Sequence, residues 1–384
     1  MRVCYFGTYD ETFPRNKVII QGLLENGVQV IKCQANIWSG TQDKIDEVKG
    51  LKRNPFRLSL LRRACGSYIK LIKEYRKCGP YDVMVVGYAG HFDMVLAWIL
   101  ARVRRKPLVF DAFLSLYSTV VEDRKLVGPR SPLALGLLLV DKLSCSLADM
   151  VFLDTEAHIK WFSKRFGLKK ERFRRVLMGA DVQQPRGEDP PLETPGRPFK
   201  VVYFGNFIPL HGVEYILGAA REMLGHPDTV FELIGEGQTF EEAQRVVRDQ
   251  GLSNVTFVHG WLPPEYLADF VRRADVCLGV FGTGQKADMV IPQKVVFSAA
   301  LGRPVLTRDS QAIREVFTPG LNIMVCQAGS PQSLAAALLA LKRDDSLRNH
   351  LAQNGQWLVQ EKLSTQAIGK VVKEHLEAVC EGNG

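Results

Sequence analysis

At 384 residues and 46% hydrophobic side chains, the chain is long enough to form two domains with separate cores. Its eight cysteines show no CxxC spacing, which argues against a zinc or disulfide framework and for a reducing compartment. The net charge of +9 is uneven: residues 1–190 hold 32 Lys and Arg against 20 Asp and Glu, and residues 191–384 hold 18 against 21, so the first half is the part suited to an acidic partner.

The opening MRVCYFGTYDE lacks the apolar core of an export signal, and the apolar stretches Met94–Ala101 and Pro132–Val140 are too short to span a bilayer. The reading is a cytoplasmic protein, with peripheral attachment to the inner face of a membrane left open. Arg2–Thr8 reads as a strand, followed by a loop to Arg15, a helix near Asn16–Asn26 and a strand at Gln29–Cys33. Gly7 would let a ligand phosphate approach the backbone, and the Arg15 guanidinium would clamp a diphosphate or an anionic acceptor; a plain turn and a solvated charge are the alternatives. Arg57 to Lys77 carries Leu60, Leu61, Tyr68, Leu71 and Tyr75 at helical spacing, bordered by Arg62, Arg63, Lys70, Lys73 and Lys77. That pattern suits an anionic membrane surface, and equally a domain helix with its apolar side buried. Nucleic acid is not expected, because the basic patch comes with no recognition element. Val83–Gly87, His91–Val103, Leu108–Asp111 and Met150–Asp154 continue an alternation of strands and helices, with Asp111 expected at the mouth of an interdomain cleft.

Gln184–Phe199, rich in proline and charge, reads as a linker. The predicted organisation is a first domain at 1–183, the linker at 184–199, a second domain at 200–348 and a helical segment at 349–384 near the junction. Strands are predicted at Val201–Phe204, Val230–Ile234, Val255–His259, Val276–Val280, Pro304–Thr307 and Ile323–Cys326. The fold class is α/β, with two doubly wound parallel sheets facing a central cleft. Gly205 to Gly212 forms the exit loop of the first of these strands, with free backbone N–H groups able to hold an anion. Gly235 and Gly237 open the next loop, and Pro292 starts a helix carrying Lys294 in its first turn, where a cation opposes the helix dipole and a bound phosphate would relieve it.

The segments GNFIPLHGVEYI (205–216), LIGEGQ (233–238), VTFVHGWLP (255–263), ADVCLGVFG (274–282) and IPQKVVFSAALGRPVL (291–306) resemble those of the large retaining family of GT-B glycosyltransferases, the glycan and glycolipid mannosyl- and glucosyltransferases. The resemblance implies a nucleoside-diphosphate sugar as donor, a glycan or lipid-linked acceptor, and hexosyl transfer with retention, with no metal requirement. It makes the first domain the acceptor side and the second the nucleotide-sugar-binding domain; with the residue readings above, the expected cofactor-binding set is Gly7, Arg15, Gly205, His211, Gly212, Gly235, Gly237 and Lys294, with Asp111 on the catalytic side. His211 stands where the family carries a basic side chain before the loop glycine, and Asn206 where it carries an arginine. The family's two donor-site glutamates fall on Met289 and Phe297, neither of which accepts a hydrogen bond through its side chain. The alternative is therefore a catalytically impaired sugar-nucleotide-binding or scaffolding protein.

Overall fold

A computed structural model describes residues 1–35, 58–180 and 196–382. Most of the predicted linker, residues 184–195, lies outside them, as does Arg57. The first sheet contains β1 (Arg2–Gly7), β2 (Gln29–Gln34), β3 (Val83–Val86), β4 (Leu108–Asp111), β5 (Met150–Leu153) and β6 (Phe173–Arg175). They run parallel in the order β2-β1-β3-β4-β5-β6. The side-chain period of two sends Val3, Tyr5, Val83 and Val85 to one core, where they meet α1 (Pro14–Glu25). Cys4, Phe6, Met84 and Val86 go to the other, against α2 (Leu58–Lys77), α3 (Met94–Val103), α4 (Pro132–Leu147) and α5 (Glu156–Phe166). Burial on both faces explains why β3, β4 and β5 are unbroken apolar runs up to their last residue.

The second sheet contains β7 (Phe199–Phe204), β8 (Thr229–Gly235), β9 (Val255–His259), β10 (Val276–Leu278), β11 (Val305–Arg308) and β12 (Met324–Cys326), in the order β12-β11-β10-β7-β8-β9. Val201, Tyr203, Phe231 and Leu233 pack against α6 (Val213–Glu222). Val202, Phe204 and Ile234 face α8 (Pro264–Arg272), which follows α7 (Phe240–Asp249). The remaining helices are α9 (Gln285–Met289), α10 (Gln293–Ala300), α11 (Gln311–Arg314), α12 (Pro331–Arg343), α13 (Asp345–Lys362) and α14 (Thr365–Glu381).

The last helix returns to the first domain. α14 lies on α1 so closely that a Cβ at Gly369 would stand 2.1 Å from the Gly22 carbonyl oxygen, and one at Gly22 would stand 2.4 Å from that of Thr365. Only glycine on both helices permits this approach, so the pair fixes the two domains against each other. One apolar cluster accordingly runs from Val3 and Ile19 through Ile368 and Val372 to Val295 and Ile323.

Two expectations change. β6, with its polar sequence Phe-Arg-Arg, carries no strand signal of its own and forms because it completes the sheet edge beside β5. In α2, Leu71 and Tyr75 belong to the domain core, so this end of the apolar side is taken up by packing and does not lie free for lipid. Of the described side chains on the helix, Arg63, Lys70, Lys73 and Lys77 are exposed.

Candidate functional site

The C-terminal ends of the two sheets face each other through loops that follow β1, β3 and β4 on one side and β7, β8 and β10 on the other. On the second side, the Gly205 N–H donates to the Ile234 carbonyl at 2.9 Å and the Phe207 N–H to the Glu236 carbonyl at 2.9 Å, zipping the β7 and β8 exit loops together. Gly235 has φ +134°, and a Cβ there would come within 2.0 Å of the Gly205 oxygen; Gly205 itself has φ +126°. The glycines thus serve loop packing, and the same contacts commit the Gly205 and Phe207 N–H groups to the fold. His211 N–H and Gly212 N–H also bond within the loop, at 2.9 and 3.2 Å. Gly237 likewise lies against the backbone of Phe207.

What the loop presents is a group of cations. Lys294, in the first turn of α10, is buried, with Nζ 3.9 Å from the centre of the Tyr203 ring and 3.2 Å from Nδ1 of His211. A Cβ on Gly205 would stand 3.3 Å from the same Nζ, so the absent side chain leaves the ammonium against the loop. No side chain caps this end of α10. Among the described residues no carboxylate pairs with Lys294, and burial holds its pKa well below the ordinary lysine value. His211 Nδ1 also meets the Tyr203 hydroxyl at 2.7 Å and the Asn206 carbonyl. Its pKa is well below that of a free imidazole, first because of burial, then because of Lys294, with Arg124 and Lys286 adding to the repulsion. His211 is therefore neutral at pH 7, and Nδ1 is committed to the loop.

Two further cations bear on the loop: Arg124, which the sequence reading of a clamp does not contain, and Lys286, which the GTGQKAD segment (282–288) offers as a weaker candidate beside plain loop solubility. Lys286, buried in α9, donates to Thr119 Oγ1 at 2.8 Å and lies 3.7 Å from Asp123 Oδ2. Asp123 Oδ1 in turn accepts the Leu210 N–H at 3.0 Å, and Gln238 donates to the Arg124 carbonyl at 3.2 Å. The helical turn Ser118–Asp123 of the first domain is thus held directly on the β7 exit loop of the second. Lys294, Lys286, Arg124 and the electropositive end of α10 converge there, and the carboxylate of Asp123 partly offsets them. Such a cluster favours a multiply charged anion.

On the first-domain side the structure corrects three assignments. Asp111 is fully buried, and its oxygens accept from Arg15 Nε at 3.0 and 3.1 Å and from Nη2 at 2.8 Å. Arg15 Nη1 donates to the carbonyls of Val176 and Leu177 at 2.6 and 3.1 Å, and its guanidinium lies 5.0 Å from the centre of the Phe113 ring. Each charge is spent on the other beneath the sheet edge, so Arg15 is no open clamp and Asp111 no carboxylate at the cleft mouth. Gly7, with φ +135°, makes room for Asp93 instead, whose Oδ2 accepts the Thr8 N–H at 2.6 Å.

Met289 is buried, and its carbonyl accepts from Thr155 Oγ1. Phe297 is half-buried with its ring 5.8 Å from that of Phe204. The nearby acids are engaged: Asp288 pairs with Arg308 at 3.2 Å, and Glu315 accepts the Glu156 and Ala157 N–H groups at 2.7 and 2.8 Å, capping α5 of the other domain. Glu236, between Gly235 and Gly237, has one carboxylate oxygen buried without a hydrogen-bond partner. Among the described residues, Cys4, Cys33 and Cys78 bring three thiols together, within the core of the first domain. An open depression of 680 Å³ lined by Glu156, Lys160, Lys164 and Glu315 shares no residue with the Lys294 cluster.

Residues 187–357 match the sequence profile of the Glycosyl transferases group 1 family. An uncharacterized glycosyltransferase of Methanocaldococcus jannaschii is 25% identical over 40% of this chain and 41% of its own length. The lipopolysaccharide core biosynthesis glycosyltransferase LpsD of Rhizobium meliloti is 25% identical over 46% of this chain and 49% of its own. The chain thus spans less than half the length of these curated relatives. Over nearly its whole length it superposes on Anabaena HepE crystallised with UDP-glucose, with a TM-score of 0.67 at 16% identity, covering 98% of this chain and 100% of that one. Sucrose-phosphate synthase from Thermosynechococcus elongatus gives a TM-score of 0.69 at 16% identity, covering 99% of each chain. The chain is a GT-B-fold protein whose second domain, the one bearing the cation cluster, is related to the group 1 glycosyltransferases.

Proposed function

We propose that the protein transfers a hexosyl unit from a nucleoside-diphosphate sugar to a glycan or lipid-linked acceptor, with retention of anomeric configuration. The observation that carries this is the buried Lys294, without a carboxylate partner among the described residues, beside His211, Lys286 and Arg124 at the junction of the two domains. As the glycosidic bond breaks, negative charge grows on the departing diphosphate, and fixed cations in a water-poor site stabilise that charge more than they stabilise the ground state. Binding also restores the charge that burial suppresses on Lys294. Retention rests on the family resemblance alone. The UDP-glucose bound to HepE makes uridine diphosphate sugars the first donors to test.

Glu236 is the carboxylate we assign to the ribose hydroxyls, in place of the glutamate that Phe297 replaces. It lies on the zipped β7–β8 loops with an unpartnered oxygen, whereas Asp288 and Glu315 are already bonded. The apolar Met289 and Phe297 support a second reading, a protein that binds the nucleotide sugar without transferring it. Incubation with a panel of nucleotide sugars and membrane or glycan extracts, followed by product detection, separates them. Transfer to an acceptor supports the first; nucleotide binding with neither transfer nor donor hydrolysis supports the second.

A further inference from the structure

Helix α4 is inside out. Its polar residues Asp141 and Ser144 are buried against the sheet, where Asp141 accepts from Ser115 Oγ at 2.6 Å and from the Leu116 and Tyr117 N–H groups at 2.9 Å, and Ser144 donates to the His91 carbonyl at 2.8 Å. Its leucines point the other way: Leu135, Leu139 and Leu143, one helical turn apart, are 55%, 65% and 50% exposed. Helix α3 packs beside it and repeats the pattern, burying Met94, Ala97 and Ala101 while Val95, Ile99 and Val103, with Phe92 in the turn before the helix, stand in solvent. Two adjacent helices thus present one apolar face, of a kind that marks an interaction site when it is rimmed by polar groups.

The rim is basic. α2 lies on the far side of α3, tied to it by the Tyr75 hydroxyl to the Leu100 carbonyl at 3.3 Å, and carries exposed Lys70, Lys73 and Arg76. Arg105 follows α3, and Lys142 stands on α4 between the leucines, both exposed. An apolar centre with a cationic border matches the interface of an anionic bilayer, in which the leucines enter the acyl boundary and the amines stay with the headgroups. None of the described helices is long and apolar enough to cross a membrane, so the face lies on the bilayer and does not span it.

We infer that the α3–α4 face docks the protein on an anionic membrane. The start of α4 belongs to the same small cluster as Tyr117 and Val121, in the segment that bonds to the donor-side loop through Asp123. Docking therefore sets the domain junction at the membrane surface, where a lipid-linked acceptor reaches it; this last step rests on the proposed transferase function, and the docking itself does not.

The experiment is sedimentation of the full chain with phosphatidylcholine vesicles with and without 30% phosphatidylglycerol, on the order of what an electrostatic partition needs. The protein is expected to sediment with the anionic vesicles, to be released by salt, and to give a Trp98 signal quenched by brominated lipid and lost in Trp98→Phe. The double variant Leu139→Glu, Leu143→Glu, at exposed positions, is expected to lose more than tenfold in partition, roughly what removing two inserted side chains implies. Its circular dichroism and uridine diphosphate affinity should be unchanged. Lys70→Gln with Lys73→Gln should weaken partition by about fivefold per charge. Absence of vesicle binding, or full binding by the double glutamate variant, overturns the inference. So does a wild-type dimer that the double variant converts to monomer, because a second copy would then cover the face. Loss of nucleotide binding with vesicle binding intact would instead count against the transferase reading.

Discussion

Lys294→Met is the sharpest perturbation, because it keeps most of the apolar stem over the Tyr203 ring and deletes only the ammonium. In the free protein that ammonium is buried without a carboxylate partner among the described residues, and burial depresses its pKa. A bound diphosphate would supply the missing countercharge. A hydrogen bond to a charged group contributes about 1.5–3 kcal/mol, so the variant should bind uridine diphosphate about 10- to 150-fold more weakly. Calorimetry reads this directly. It also reads a proton: between the depressed pKa of the free lysine and its raised value in the complex, binding takes up a proton, and affinity falls as pH rises through that window. The measured enthalpy should therefore differ between HEPES and Tris in the wild type and converge in Lys294→Met. The unliganded variant should be no less stable than wild type, since the amine it removes is one whose burial is itself unfavourable. Unchanged affinity, or the same proton uptake in the variant, would refute the assignment of Lys294 to the anion site.

Asp111→Asn should cost about 3–5 kcal/mol in urea unfolding, because it leaves the buried Arg15 charge uncompensated; adding Arg15→Met should restore most of it, and full stability of the single variant would contradict a structural ion pair. Buried His91 and His211 have folded pKa values below the free imidazole value of about 6.5. The unfolded chain then binds more protons, so stability falls as pH drops from about 6.5 toward the folded pKa values. His211→Gln should flatten that slope by up to about 1.4 kcal/mol per pH unit, and an unaltered slope in thermal unfolding would show that the ring is not held neutral. Glu236→Gln should weaken uridine diphosphate about fivefold, equivalent to about 1 kcal/mol, and leave inorganic pyrophosphate binding unchanged; equal losses for both would place Glu236 against the phosphates and not the ribose.

The parts of this molecule legible in the sequence are those encoded locally. β9 needed only its apolar run, and Lys294 only its place after Pro292, since a strand is a periodicity and a helix start a short motif. The errors all concern direction or distance. Asp111 and Arg15 are 96 positions apart, and nothing in either neighbourhood states that the two charges meet and cancel. Arg124 and Lys286 come from different domains and join one electrostatic field only because the Ser118–Asp123 turn lies on the β7 exit loop. The pairing of the Gly205 and Phe207 N–H groups with the β8 exit loop is equally non-local, since neither loop alone states that it meets the other.

α4 is the instructive case. Its Pro132–Val140 stretch reads as too short to span a bilayer, and its moderate length suits a buried helix equally well. Which side is buried depends on Asp141, a carboxylate that in isolation would be placed in solvent. Only the donors of Ser115, Leu116 and Tyr117, presented by the turn after β4, make its burial favourable and so rotate the leucines outward. Without that information the basic α2 reads equally as a membrane element and as a domain helix. With Leu71 and Tyr75 in the core, its exposed lysines become a cationic border beside the apolar face of α3 and α4. On the docking inferred above, one buried carboxylate decides which helices meet the membrane, and the charge excess of the first domain suits an anionic surface.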